Sequence, residues 1–121
     1  MRPHKRLEVW KQAMELTKMT YRITEGFPND EKFGMISQLK RASVSVPANI
    51  TEGAARQSKK EFKQFLFIAN GSLSEIDTLL ELALQLEFLN NSNYLPLNKQ
   101  LEKVGALNNG LIKSLNQQIT S

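Results

Sequence analysis

The chain has 121 residues, is 40% hydrophobic and 23% charged, and carries a net charge of +4. That length suits a single domain spanning residues 1–121, and the composition is that of an ordinary globular protein. No apolar run is long enough to span a membrane, and the absence of cysteine excludes disulfides and thiolate metal sites. No hydrophobic signal core follows the basic start Met1-Arg2-Pro3-His4-Lys5-Arg6, so a cytoplasmic location is expected.

The first helix is expected from about residue 5 to 24. One apolar face is Leu7, Trp10, Met14 and Tyr21, and a second is Val9, Ala13, Leu16 and Ile23. Two stripes on one helix imply burial around much of its circumference. Gly26 and the turn Phe27-Pro28-Asn29-Asp30 end it, and Asp30 and Glu31 suit the positive end of the next helix dipole.

The second helix is expected over residues 31–52, with Phe33, Ile36, Leu39, Val46 and Ile50 on one face. Pro47 removes an N–H and strips the Ser43 carbonyl of its helical donor. A nearby hydroxyl such as Ser43 or Ser45 is expected to satisfy the freed backbone. Gly53 suits a left-handed cap. Ala42, Ser45 and Ala48 form a small-residue face that admits another helix, so this helix reads as packed on two sides.

Ser58 followed by Glu61 is a capping box for a third helix over residues 59–89. Phe62, Leu66, Ala69, Leu73, Ile76, Leu80 and Ala83 alternate by four and three like a coiled-coil seam. Phe65, Ile68, Leu79, Leu82, Leu86 and Leu89 form a neighbouring seam. Gly71 weakens this helix by about 1 kcal/mol and suits a point where another helix crosses closely. The fourth helix is expected over residues 94–118, capped by Asn93, with Pro96 in its first turn. Its face is Leu97, Leu101, Val104, Leu111, Leu115 and Ile119. Asn108-Asn109-Gly110 reads either as a helix end or as a polar patch facing solvent. Asn49-Ile50-Thr51 and Asn70-Gly71-Ser72 match the Asn-Xaa-Ser/Thr pattern, but they fall inside expected helices and are discounted as glycan acceptors.

These elements give an all-α chain, and short connections favour an antiparallel up-down-up-down four-helix bundle. Two apolar faces on several helices exceed what one small bundle can hide, which points to a homo-oligomer. The alternative is a monomer with a wide core and modest exposed patches.

Charge is uneven. Residues 1–60 hold 12 Lys or Arg against 6 Asp or Glu, and residues 61–121 hold 4 against 6. Lys40, Arg41, Arg56, Lys59, Lys60 and Lys63 form a candidate basic cluster. Several of these crowd the start of the third helix, where the dipole disfavours cations. A helix start with free N–H groups and cations is a natural phosphate site. The alternative is a solvated charge run that serves solubility alone. Trp10, Phe62 and Phe65 fall on core stripes, so any nucleic-acid contact should be to phosphate rather than bases. Asn49 and Glu52, one turn apart, are read as polar groups bonding across helices or subunits, with Arg41 or Arg56 as donor to a buried Glu52. No nucleophile, base and orienter set accompanies them, so the chain is read as a non-enzyme without cofactor. His4 is the single histidine and cannot build a metal site alone.

The stretch Gln38-Leu39-Lys40-Arg41-Ala42-Ser43-Val44-Ser45-Val46-Pro47-Ala48-Asn49-Ile50-Thr51-Glu52-Gly53 resembles the signature of the 23S ribosomal RNA intervening-sequence proteins, also called the four helix bundle protein family. The likeness extends to Trp10 and Ala13, Phe27-Pro28, Glu31-Lys32-Phe33-Gly34, Arg56 and Ser58. It continues through Glu61-Phe62, Phe65-Leu66, Ile68-Ala69 and Gly71-Ser72-Leu73-Ser74-Glu75 to Leu111-Ile112. It implies a four-helix bundle assembling into a homopentameric barrel with no enzymatic activity. A related branch, the accessory protein of diversity-generating retroelements, implies nucleic acid or a nucleic-acid enzyme as partner. Lys40 stands where the family usually has arginine, and it lacks the planar fork that grips phosphate bidentately.

Overall fold

A computed structural model describes residues 2–120, with side chains described for residues 2–119. Four helices follow one another: α1 (Glu8–Thr24), α2 (Met35–Ala54), α3 (Lys59–Gln85) and α4 (Asn91–Thr120). Two 3-10 turns, Pro3–Arg6 and Asn29–Glu31, precede α1 and α2, and no strand occurs among the described residues. Each helix packs on its neighbour in sequence, and α1 closes the ring onto α4. No backbone of diagonal helices approaches within 8 Å, Cα to Cα, among the described residues, as in an up-down-up-down square.

The α3 seam read from its spacing lies inside as expected: Leu66, Ala69, Leu73, Ile76, Leu80 and Ala83 are buried, joined by Leu79. On α1 only one of the two expected faces is interior. Val9, Ala13 and Leu16 are buried, whereas Met14 and Tyr21 are exposed and Trp10 is half-buried. The stripe continues through Thr20 and Thr24, whose hydroxyls donate to the Leu16 and Tyr21 carbonyls at 2.8 Å each. Internal bonding lets threonine occupy core positions that apolar periodicity overlooks.

Helix ends differ from the expected 5–24, 31–52, 59–89 and 94–118. Leu7 is extended (φ −80°, ψ 126°), so the basic opening forms a separate 3-10 turn packed on α1 and α2. Asp30 and Glu31 sit in the second 3-10 turn, and α2 begins only after Gly34. There the Glu31 carboxylate accepts the Met35 N–H at 3.2 Å, so it still serves the start of α2. The Ser58 hydroxyl accepts the Glu61 N–H at 3.0 Å, as expected of the cap. Helix α3 ends four residues early, because Glu87 turns into the left-handed region at φ 63°. The Phe88 N–H then bonds the Ala83 carbonyl at 2.9 Å and the Glu87 N–H bonds Leu84 at 3.1 Å, closing a Schellman cap without glycine. The cap of α4 is Asn90, not Asn93: the Asn90 Oδ1 accepts the Asn93 N–H at 2.9 Å.

Pro47 lies buried inside α2. Its orphaned carbonyl, at Ser43, is satisfied from another helix rather than by Ser43 or Ser45. The Thr17 hydroxyl of α1 donates to the Ser43 oxygen at 2.8 Å, with the Ala13 oxygen second at 3.1 Å. Gly53 is not a left-handed cap, since no glycine has positive φ among the described residues. It is buried within α2, where a Cβ would lie 2.8 Å from Phe62 Cδ1 and 2.9 Å from Phe65 Cβ. The absent side chain is what lets α2 and α3 meet so closely. At Gly71 the opposite holds: no atom lies within 4 Å of a Cβ there, so no helix of this chain crosses it.

Asn108-Asn109-Gly110 is not a helix end: Asn109 and Gly110 face solvent, as one reading of the sequence expected, but Asn108 does not. Helix α4 runs unbroken through it, and Asn108 is fully buried. The Asn108 amide donates to the Leu66 carbonyl and to Asn70 Oδ1, both at 2.9 Å, pinning α4 to α3. Its own Oδ1 is buried with no hydrogen-bond partner among the described residues.

Candidate nucleic-acid interface

The bundle's topology decides which cations meet. Antiparallel packing puts the end of α2, the start of α3 and the end of α4 together, while the 3-10 turn before α1 packs on α1 and α2. Arg56, in the α2–α3 connection, and Lys59, Lys60 and Lys63, in the first turns of α3, therefore share one end. Arg56, Lys59 and Lys60 are exposed. The Arg56 guanidinium lies 4.8 Å from the centre of the Phe65 ring, a cation–π contact that holds it against the bundle. Lys63 is half-buried and its ammonium donates to Asn116 Oδ1 at 2.8 Å.

Lys40 and Arg41 do not join them. They lie in the first half of α2, about 20 Å along the axis from its end at 1.5 Å per residue. Lys40 sits 4.8 Å over the Tyr21 ring, and Arg41 is exposed. The 3-10 turn packed on α1 and α2, with its N-cap Arg2, carries further exposed cations, Lys5 and Arg6. The sequence shows these cations at its start but gives them no position. The α1–α2 pairing, implicit in the up-down order, is the signal that would have placed them.

None of the cations at this end has a carboxylate within ion-pair reach among the described residues. The ion pairs among the described residues are Lys18–Glu15 at 3.2 Å and Arg22–Glu15 at 4.0 Å, both within α1 and away from this end. Glu52 and Glu61 share the basic end but are exposed. The opposite end carries Glu25, Asp30, Glu31 and Glu87 against Arg22 and Lys32. Near that end burial, then the charges of Glu81, Asp77 and Glu102, push the Tyr94 phenol above its ordinary value. The bundle is thus electrically polar along its axis.

Asn49 and Glu52 part company. The Asn49 amide donates to the Ser45 carbonyl at 2.8 Å and to its hydroxyl at 2.9 Å, and Ser72 of α3 donates to that hydroxyl at 2.8 Å. This network ties α2 to α3. Glu52 is exposed, so it needs neither Arg41 nor Arg56 as a buried partner. His4 packs edge-on against Trp10 at 5.1 Å, and no group of three or more His, Asp or Glu is placed to hold a metal among the described residues. A cavity of about 600 Å³ opens at the acidic end; Arg22 and Glu87 are its charged lining residues.

Several large apolar side chains stay outside. Ile68 and Leu82 of the second α3 seam, and Leu86 at its C-cap, are exposed, as is Val44 on α2. Phe33 is 90% exposed before α2. No helix among the described residues is long and apolar enough to cross a membrane.

No curated protein matches the chain. Among solved structures it is similar to a protein of unknown function from the S23 ribosomal protein family of Bacteroides thetaiotaomicron. The two share 26% identity and a TM-score of 0.78, over 87% of this chain and 98% of the other. The family model described as 23S rRNA-intervening sequence protein matches residues 5–110, through both the Pro47 region and the basic end. The chain therefore belongs to the 23S rRNA-intervening sequence protein family.

Proposed function

We propose that this chain is a non-enzymatic, self-assembling cytoplasmic bundle that binds structured RNA or other nucleic acid through backbone phosphates. The observation that carries this reading is the gathering of Arg56, Lys59, Lys60 and Lys63 at one end, with no carboxylate in ion-pair reach among the described residues. Exposed cations keep their hydration until a polyanion arrives, and binding then gains from counterion release. The start of α3 adds free N–H groups and the positive end of a dipole. The family description names 23S ribosomal RNA, so RNA is the first polyanion to try.

Assembly strengthens the reading. Ile68, Leu82 and Leu86 leave apolar surface on α3, and Gly71 beside them leaves room for close approach. Copies meeting there, as in a pentameric ring, would bring their basic ends to one face, and modest clusters would act together. The test is light-scattering mass with and without a structured RNA, followed by binding of an Arg56→Gln, Lys59→Gln, Lys60→Gln variant. A multimer that binds RNA, and a folded variant that binds weakly, support the proposal. A lone subunit, or binding unchanged in the variant, overturns it.

A second reading, a scaffold for a nucleic-acid-processing protein, is favoured by the exposed Phe33 beside the acidic end. A protein partner retained from nuclease-treated lysate and lost in Phe33→Ser would support it.

A further inference from the structure

The chain contains two Asn-Gly dipeptides, Asn70-Gly71 in α3 and Asn109-Gly110 in α4. The fold brings them together: the Asn70 Nδ2 donates to Asn109 Oδ1 at 2.9 Å. Asn70 Oδ1 in turn accepts from the buried Asn108. Asn-Gly is the dipeptide most prone to deamidation, because glycine has no side chain to hinder attack on the preceding residue. The glycine nitrogen, once deprotonated, attacks the asparagine Cγ. Ammonia leaves and a succinimide closes. Water then opens the ring at either carbonyl, giving aspartate or, more often, isoaspartate with the chain rerouted through the side chain. Asparagine and water become an acid residue and ammonia.

We propose that Asn109 is a deamidation site, and that the isoaspartyl residue formed there is a substrate for a carboxyl methyltransferase that repairs such residues. The continuous helix restrains the reaction, since a helical Gly110 N–H is directed at the preceding turn. Local opening lifts the restraint. Three features select Asn109 over Asn70. Asn109 is exposed whereas Asn70 is half-buried. Asn109 has one hydrogen bond here, whereas Asn70 has two. Asn108-Asn109-Gly110 is also a run of weak helix formers, whereas Asn70-Gly71 has one such pair flanked by Ala69.

The two products differ in consequence. A normal aspartate at 109 keeps an oxygen to accept from Asn70. An isoaspartate adds a methylene to the backbone in the middle of α4 and breaks its register. Asn108 is the preceding residue and is fully buried, so its bonds to Leu66 and Asn70 are lost with it. Asn109→Asp should therefore melt nearly like the unaltered chain, and the isoaspartyl form well below both.

The experiment ages the full chain at mildly alkaline pH and physiological temperature. Peptide mapping and methyl transfer from S-adenosylmethionine by an isoaspartyl methyltransferase read position 109 and position 70 separately. Gly110→Ala is the blocking variant, and its Cβ would meet nothing within 4 Å. Expected is isoaspartate at 109 roughly tenfold faster than at 70, from the weaker local helix. It should be suppressed in Gly110→Ala and speeded in both positions by urea. Conversion first at 70, no conversion in the folded chain, or an isoaspartyl form melting with Asn109→Asp would each overturn the proposal.

Discussion

Replacing Thr17 by valine exchanges a hydroxyl for a methyl of similar size, in a helix where the two residues have similar propensity. The hydroxyl is bonded at 2.8 Å to the carbonyl of Ser43, a fully buried residue whose helical donor Pro47 cannot supply. Leaving such a buried acceptor empty costs about 1–3 kcal/mol. At roughly 4 °C per kcal/mol for a domain of this size, the melting temperature should fall by several degrees. Pro47→Ala restores the missing N–H, so Thr17→Val in that background should cost under about 0.5 kcal/mol. The cavity left by proline enters both arms of the cycle and cancels. Urea unfolding followed by far-ultraviolet circular dichroism, at one fixed protein concentration, measures all four chains. The expected coupling is about 1–2 kcal/mol. Equal costs of Thr17→Val in both backgrounds would refute the idea that the two helices share one hydrogen-bond deficit.

Gly53→Ala should destabilise by about 1–3 kcal/mol, because its Cβ meets Phe62 and Phe65 at under 3 Å and the Phe65 Cβ cannot swing away. Glu87→Gly should stabilise by about 1 kcal/mol by relieving positive φ; thermal melts check both. Tyr94 holds its proton more tightly folded than unfolded, so its contribution is present below the ordinary value of 10.0 and is lost as pH rises beyond it. Tyr94→Phe should therefore lose less stability than the unaltered chain across that range, as melts against pH will show.

The sequence reveals some of this structure more readily than the rest. The α3 seam is legible because four-three spacing of large apolar residues has one low-energy solution. The Asn90 cap is harder, since four polar residues in a row offer several side chains for one task, and backbone geometry at Glu87 shifts the frame. Asn108 is illegible to periodicity, which counts asparagine as polar. Its place is decided by a carbonyl on Leu66, 42 positions away. The same distance effect hides Thr17, whose partner lies in another helix. At the candidate interface, Arg56, Lys59, Lys60 and Lys63 are near neighbours in the chain and stay together. Grouping Lys40 and Arg41 with them overlooks the axial rise of α2.

The most direct measurement is the salt dependence of RNA binding for two charge-matched variants. One neutralises Arg56, Lys59 and Lys60 at the basic end; the other neutralises Lys18, Lys99 and Lys103, exposed elsewhere. Loss of three phosphate contacts should flatten the slope of log K against log salt by about 2–3 in the first variant only. Equal slopes in the two variants would contradict a phosphate site at the basic end.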